Sequence, residues 1–165
     1  MQVPQPAPDP APGPAARSGP QPAQRQAPAS AGPVSGPAAA MWAADQASRQ
    51  LGMELLEARD GTAVVRMPVT RSMVNGHAIA HGGYVFLLAD STFACACNSR
   101  GPVTVAAGAD ITFIAPVREG DLLVATAAER VSYGRSGIYD VTVRRGDEVV
   151  AEFRGRSREI GSPQG

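Results

Sequence analysis

An α+β domain, with one long apolar helix wrapped by a strongly curved antiparallel sheet of five or six strands, is the fold class that this 165-residue sequence predicts. Three observations carry it. Residues 81–99, "HGGYVFLLADSTFACACNS", run apolar for about four turns of helix with a single charge, Asp90. Everything after them reads as strands separated by short turns. In the last strand Val149, Ala151, Phe153, Gly155 and Ser157 share one face, while Glu148, Glu152, Arg154, Arg156 and Arg158 share the other. That period of two marks a half-buried antiparallel strand. A helix apolar on all sides has to be covered on nearly all sides, and a curved sheet does this economically. Ala89, Ala94 and Ala96 let the backbones approach closely.

Residues 1–40 are expected to be a disordered tail, because 11 of the 15 prolines fall in the first 37 residues among Ala, Gly, Gln and Ser. Such a stretch buries too little apolar surface to offset its ordering entropy. It has only Arg17 and Arg25 as cations and no apolar core of a secretory signal. Composition becomes ordinary at Met41, which is a candidate translation start, and residues 41–165 form the expected folded domain.

Within that domain, residues 42–51, "WAADQASRQL", predict a short helix. "MELLEAR" and "TAVVRMPV" predict two strands joined at Asp60-Gly61, a strong hairpin signal. Residues 69–80 have no clear period and read as a loop before the long helix. The later strands are "VTVAAGADITFIAPV", "LLVATAAERVSY", "IYDVTVRR" and "EVVAEFRGRSREI", separated by the turns "REGD", "GRSG" and "GD".

Composition excludes several chemistries. Net charge is zero, which argues against a general nucleic-acid binder or a polybasic membrane binder. All 15 basic residues are arginine, so a P-loop ATPase, a Schiff-base enzyme and a lysine base are excluded. No apolar run reaches the roughly 20 residues of a membrane span. Cys95 and Cys97, two apart on a helix, point to opposite sides and read as small buried residues of a reducing, cytoplasmic compartment.

Asp90 is the anomaly. An unpaired carboxylate in such a helix is costly to bury, so it needs a partner or water. Two readings are open: it meets an arginine such as Arg100 or sits at a kink, or it lines a ligand site. The sequence around it favours the second. His81-Gly82-Gly83 at the helix start leaves backbone N–H groups without intrahelical partners and removes obstructing side chains, a setting suited to an oxyanion or polarised carbonyl. Metal is not expected: His77 and His81 are the only histidines, and no third ligand stands at zinc spacing. Ser91 and Cys95 lack the surroundings of a nucleophile.

The run "NGHAIAHGGYVFLLADSTFACACNS", residues 75–99, resembles the signature of the PaaI branch of the hotdog acyl-coenzyme A thioesterases, the phenylacetic-acid-degradation type. "ADITFIAPVREGD", "GRSGIYDVTV" and "VVAEFRGRSREIG" are similar to the strands of that family, and the likeness spans about residues 42–161. The helix wrapped in a sheet is then the hotdog fold. The resemblance implies that Asp90 is the catalytic carboxylate, as general base or nucleophile, and that the Gly82 N–H, with Gly83 beside it, holds the carbonyl oxygen. Asn75 and His81 match polar residues that orient water or the thioester. The implied substrate is an aromatic acyl-coenzyme A of phenylacetyl or hydroxyphenylacetyl type, with no cofactor.

Phe86, Leu87, Phe93 and Ala94 lie one turn from Asp90 and are candidates to border an acyl pocket, with plain core as the alternative for each. Arg118 and Arg135 sit in turns and are candidates for the coenzyme A phosphates. A hotdog dehydratase and a non-catalytic acyl-coenzyme A binder are the alternative functions. Asp90 lies eight residues beyond Gly82, about 12 Å along a helix, too far for both to meet one thioester carbonyl. A homo-oligomer, a dimer or dimer of dimers with shared sites, is therefore expected.

Overall fold

The computed structural model describes Val34 and residues 36–161, so the expected disorder of the proline-rich stretch lies, apart from its last residues, outside the described residues. The order of elements is α1 (Pro37–Ala44), α2 (Gln46–Gln50), β1 (Glu54–Arg59), β2 (Thr62–Pro68), α3 (Gly82–Cys97), β3 (Val103–Phe113), β4 (Leu122–Tyr133), β5 (Ser136–Arg145) and β6 (Glu148–Gly161). The single helix expected over residues 42–51 is two. Pro37 opens α1, where its missing N–H costs nothing. Asp45 then breaks the run, because its side chain accepts from the Ser48 N–H at 3.0 Å and caps α2. Pro37–Ala40, assigned by composition to the tail, form the first turn of α1, and Ala38 is fully buried.

All six strands form one antiparallel sheet in the order β1-β2-β4-β5-β6-β3. Asp60 (φ 50°) and Gly61 (φ 81°) make the hairpin turn between β1 and β2, both with the positive φ that a two-residue hairpin needs. Register shifts interrupt the β1–β2, β4–β5, β5–β6 and β3–β6 ladders. Each such bulge bends its strand and deepens the twist, so the sheet turns around the helix.

Alternate residues of the strands point inward, as the period predicts. Val65, Met67, Leu123, Val141, Val143 and Phe153 are almost fully buried and meet Val85, Leu88, Ala89, Phe93 and Ala96 of α3. On β6 the alternation runs as read from Ala151 onward, where Ala151, Phe153, Gly155 and Ser157 are buried between exposed Glu152, Arg154, Arg156 and Arg158, but it fails at Val149, which is half-buried while Val150 is buried, because a register shift against β5 adds a residue there. Asn98 stops α3, its side-chain amide donating to the carbonyls of Ala94 and Thr104 at 2.9 Å each, and its oxygen accepting from the Thr104 N–H at 3.0 Å.

The expectation that α3 is covered on nearly all sides is not met. Gly83, Phe86, Leu87, Asp90 and Ala94 keep partial or full exposure along one stripe. A single sheet reaches only one side of a helical cylinder, so a stripe is left over. Ser48 braces the helix near this stripe: its hydroxyl bonds Asp45 at 2.6 Å and the buried Ser91 hydroxyl at 2.9 Å, tying α2 to α3.

Phe93, a candidate for an acyl pocket, is core. It is 1% exposed and packs against Tyr139 and Phe153 at centroid separations of 5.4 and 5.9 Å. Gly155 exists for this ring: a Cβ there would stand 2.7 Å from Phe93 Cδ2 and Cε2. Gly155→Ala is therefore expected to destabilise the protein by about 1–3 kcal/mol, the usual penalty of overpacking, read as a lower midpoint in denaturant unfolding.

Candidate active site

The loop before α3 fixes the first half of the site. Asn75 Oδ1 accepts from the His77 N–H at 2.8 Å, an Asx turn, and the Asn75 N–H donates to the Ile79 carbonyl at 2.8 Å. Ala78 takes φ 58° to close this turn. One lone pair of the Asn75 oxygen is used in this turn, and its two NH₂ hydrogens and the second lone pair are left to offer a ligand. The loop is moored at its far end, where the Ala80 N–H donates to the Val117 carbonyl at 2.7 Å and the His81 N–H to the Met73 carbonyl at 2.8 Å.

His81 is the N-cap of α3. Its backbone is extended (φ −63°, ψ 130°), and its Nδ1 accepts from the Gly83 N–H at 3.1 Å. The ring must therefore carry its proton on Nε2, which alone remains to meet a ligand. The cap also divides the two glycines. Gly83 spends its N–H on His81, whereas the Gly82 N–H has no acceptor among the described residues and lies at the positive end of the α3 dipole.

Gly82 and Asn75 together border a cavity of about 400 Å³, whose remaining walls are apolar, among them Ile79, Val85, Phe113 and Val150. Phe113 lies against Gly82: a Cβ at Gly82 would come within 2.9 Å of its ring. Sequence reasoning missed Phe113 and the cavity. The only trace in the sequence was a glycine at the helix start, whose contact partner comes from a strand some thirty residues later.

Asp90 is placed elsewhere. It lies on the open stripe of α3, half-buried, and borders no part of that cavity. The arginine reading fails for it. Arg100 instead bonds Glu129 and donates to the Asp60 carbonyl at 2.8 Å, and Glu129 in turn accepts from the Tyr139 hydroxyl at 2.8 Å. Among the described residues Asp90 has no ion-pair or hydrogen-bond partner. Desolvation by the surrounding helix and sheet raises its pKa above the ordinary 3.8. A carboxylate held partly dry and unpaired is suited to taking a proton.

Phe86 and Ala94 share the stripe with Asp90, and Phe86 rests edge-on against Phe153 at 5.5 Å. Arg118 and Arg135 are exposed, one before and one after the 12-residue strand β4. At about 3.3 Å per residue they stand roughly 40 Å apart, so one chain does not bring them to one phosphate group. Arg118 adjoins the cavity through Pro116 and Val117, whereas Arg135 donates to the Glu159 carbonyl at 2.9 Å at the other end of the sheet. Burial pushes the Cys95 and Cys97 thiols up to about 12, which keeps both protonated and inert.

Residues 77–152 match the thioesterase superfamily. The acyl-coenzyme A thioesterase PaaI of Escherichia coli (strain K12) is 44% identical over 123 residues, covering 74% of this chain and 88% of that protein. A putative esterase of Deinococcus radiodurans is 43% identical over 109 residues, covering 64% of this chain and 73% of that one. The solved structure of the E. coli PaaI protein, from the phenylacetic acid degradation operon, superposes with a TM-score of 0.74 at 42% identity, covering 76% of this chain and 92% of that one.

Proposed function

This chain belongs to the PaaI-type hotdog thioesterases and is an acyl-coenzyme A thioesterase, and on that footing we propose that it hydrolyses aromatic acyl thioesters of phenylacetyl or hydroxyphenylacetyl type, with Asp90 as the base or nucleophile. The operon of the E. coli relative is what favours the phenylacetyl group. The observation that carries the chemistry is the split placement of the two reactive elements. A free backbone N–H at Gly82 borders an apolar cavity that opens to solvent, while an unpaired, desolvated carboxylate at Asp90 faces out along an uncovered stripe of the same helix.

In this reading the Gly82 N–H donates a hydrogen bond to the thioester oxygen and stabilises the negative charge developing on it, at the positive end of α3. Asn75 NH₂ and His81 Nε2–H steer the carbonyl or the water, and Gly83 serves by locking the His81 ring. Ionised Asp90 takes a proton from water as it attacks, or attacks directly and is released by water in a second step. In the first route the proton on Asp90 passes to the departing sulfur and coenzyme A leaves as its thiol; in the second, coenzyme A leaves as the thiolate and takes its proton from solvent, and water then hydrolyses the acyl anhydride on Asp90. The carboxylate and helix terminus supply the chemistry, with no cofactor in any step, and we place the reaction in the cytoplasm. Among the described residues no helix is long and apolar enough to cross a membrane.

Asp90 and Gly82 serve one thioester only if they come from different subunits. Two features support a homodimer. The open stripe bearing Phe86, Leu87, Asp90 and Ala94 needs a cover, and β3 is an edge strand of 11 residues with Val105 42% and Phe113 53% exposed. A two-fold axis beside antiparallel copies of α3 places Asp90 of one copy at the cavity of the other, twice.

The test of the activity is release of free thiol from purified protein and phenylacetyl-coenzyme A. A hydratase or a passive binder releases none. Arg118, at the cavity end of the sheet, is proposed to meet the coenzyme A phosphates there, and Arg135 those reaching the opposite end. Arg118→Ala is expected to raise KM about two- to fivefold, the reach of an exposed ion pair, with kcat unchanged. The same substitution leaves hydrolysis of a phosphate-free phenylacetyl thioester unaffected if the contact is to phosphate.

A further inference from the structure

We propose that Asp121 and Arg145 are positioning residues for the turn that carries the Gly82 N–H, acting through the peptide group between Val117 and Arg118; this rests on the thioesterase reading above. Arg145 is out of place by the strand period. The odd residues of β5 face the core, where Tyr139, Val141 and Val143 are buried, and Arg145 continues that face at the end of the strand, opposite the fully buried Leu123. A guanidinium at an inward position needs acceptors, and the structure supplies three. Its Nη1 donates to the Asp121 carboxylate at 2.8 Å and to the Pro116 carbonyl at 3.1 Å, and its Nη2 meets Glu148.

Asp121 is the hub. The carboxylate oxygen that meets Arg145, Oδ2, also accepts from the Arg118 N–H at 2.7 Å, which closes the turn of residues 118–121 at Gly120 (φ 87°). Against its desolvation, the Arg118 N–H and the Arg145 guanidinium hold the Asp121 carboxyl below its ordinary 3.8, so it is ionised at neutral pH. Three consecutive residues are thereby fixed: the Pro116 carbonyl by Arg145, the Val117 carbonyl by the Ala80 N–H at 2.7 Å, and the Arg118 N–H by Asp121. The Val117 carbonyl and the Arg118 N–H belong to one planar peptide group. Asp121 therefore holds one edge of the plane whose other edge holds Ala80, and Ala80 immediately precedes His81, the N-cap of α3. A shift of that plane carries the Ala80–His81–Gly82 backbone with it. An oxyanion donor tolerates little misplacement, so the ion pair reaches the chemistry without touching the substrate.

Steady-state kinetics on the full chain test this with phenylacetyl-coenzyme A, at a temperature where melts show each variant folded. Arg145→Ala and Asp121→Ala are expected to lower kcat about tenfold with KM within about threefold, the split expected of a misplaced transition-state donor. Arg145→Lys should lose less, about threefold, since an ammonium can meet Asp121 but lacks the fork that also reaches Pro116. Asp121→Asn, which keeps an acceptor for the Arg118 N–H, should do the same, and these two variants carry the test if an alanine variant does not fold. Arg154→Ala is the control: it removes a two-pronged ion pair to Asp140, at 2.7 and 3.1 Å on the outer face of the sheet, and should leave kcat unchanged. A second readout reports the donor itself. The infrared carbonyl band of phenylacetyl-coenzyme A bound to Asp90→Asn is lowered in frequency by the Gly82 hydrogen bond, and adding Arg145→Ala should return it to higher frequency. Unchanged kcat in the Arg145 and Asp121 variants, an equal loss in Arg154→Ala, or a loss of kcat with the band unmoved would each overturn the positioning role and leave the thioesterase reading standing. A wild-type protein that releases no thiol rejects the thioesterase reading, and the positioning role with it.

Discussion

Replacing Asp90 by Asn is expected to leave a folded protein that turns over acyl-coenzyme A at least about a hundredfold more slowly, the low end of a general-base contribution. Asparagine keeps the size and polarity of the side chain and removes its capacity to take a proton or to form an acyl intermediate. Near-normal turnover in this variant would sink the mechanism. The same substitution should also stabilise the fold, and the sign follows from the raised pKa of Asp90. Because the folded state holds the proton more tightly than the unfolded state, the contribution of Asp90 is fully present below its unfolded pKa and is lost as pH rises through the folded value. The variant should thus match the wild type in acid and melt higher than it near neutral pH. Catalysis has the opposite slope. The base must be ionised, so wild-type kcat/KM should fall with decreasing pH through an apparent pKa above that of an ordinary aspartate. Thermal melts and rate profiles over one pH series check both slopes together.

Mixing two inactive variants is expected to restore activity. Subunits carrying Asp90→Asn keep Gly82, and subunits carrying Gly82→Pro keep Asp90. Proline deletes the N–H that would hold the thioester oxygen, yet the first helical position accepts it, and the extended backbone of His81 is the conformation a residue before proline requires. Its ring does crowd Phe113, so folding of the variant needs a melt of its own. Each heterodimer then has one intact site and one doubly damaged site. With equal amounts and random exchange, half of the dimers are mixed, and the pool should regain about a quarter of wild-type activity. Proven exchange without recovery, or full activity in a verified monomer, would defeat the shared site.

The strands and their turns were legible in the sequence because each is a local decision. The Asp60-Gly61 turn states its own φ angles, and the alternation on β6 states which face is wet. The break at Asp45 was legible in kind, as a capping residue three before Ser48, but an Ala-rich stretch on either side masked it. Phe93 was misassigned among the pocket candidates since its helical angle is close to that of Phe86. What separates the two is Gly155 on β6, which opens a space for one ring and not the other.

Periodicity, turn chemistry and helix ends, each read over a few residues, were enough to specify the antiparallel strands, the long helix, the glycines at its start and the one carboxylate along it. That Arg100 belongs to Glu129, that His81 occupies the Gly83 N–H and leaves that of Gly82 free, and that Phe113 borders a cavity which Asp90 does not reach came instead from packing between distant segments. The reason is the distance in sequence between the partners: a helix and a strand each specify their own faces, but which side chain of one meets which backbone group of the other depends on how the sheet's bulges wrap it around the helix, and that is a property of all six strands at once.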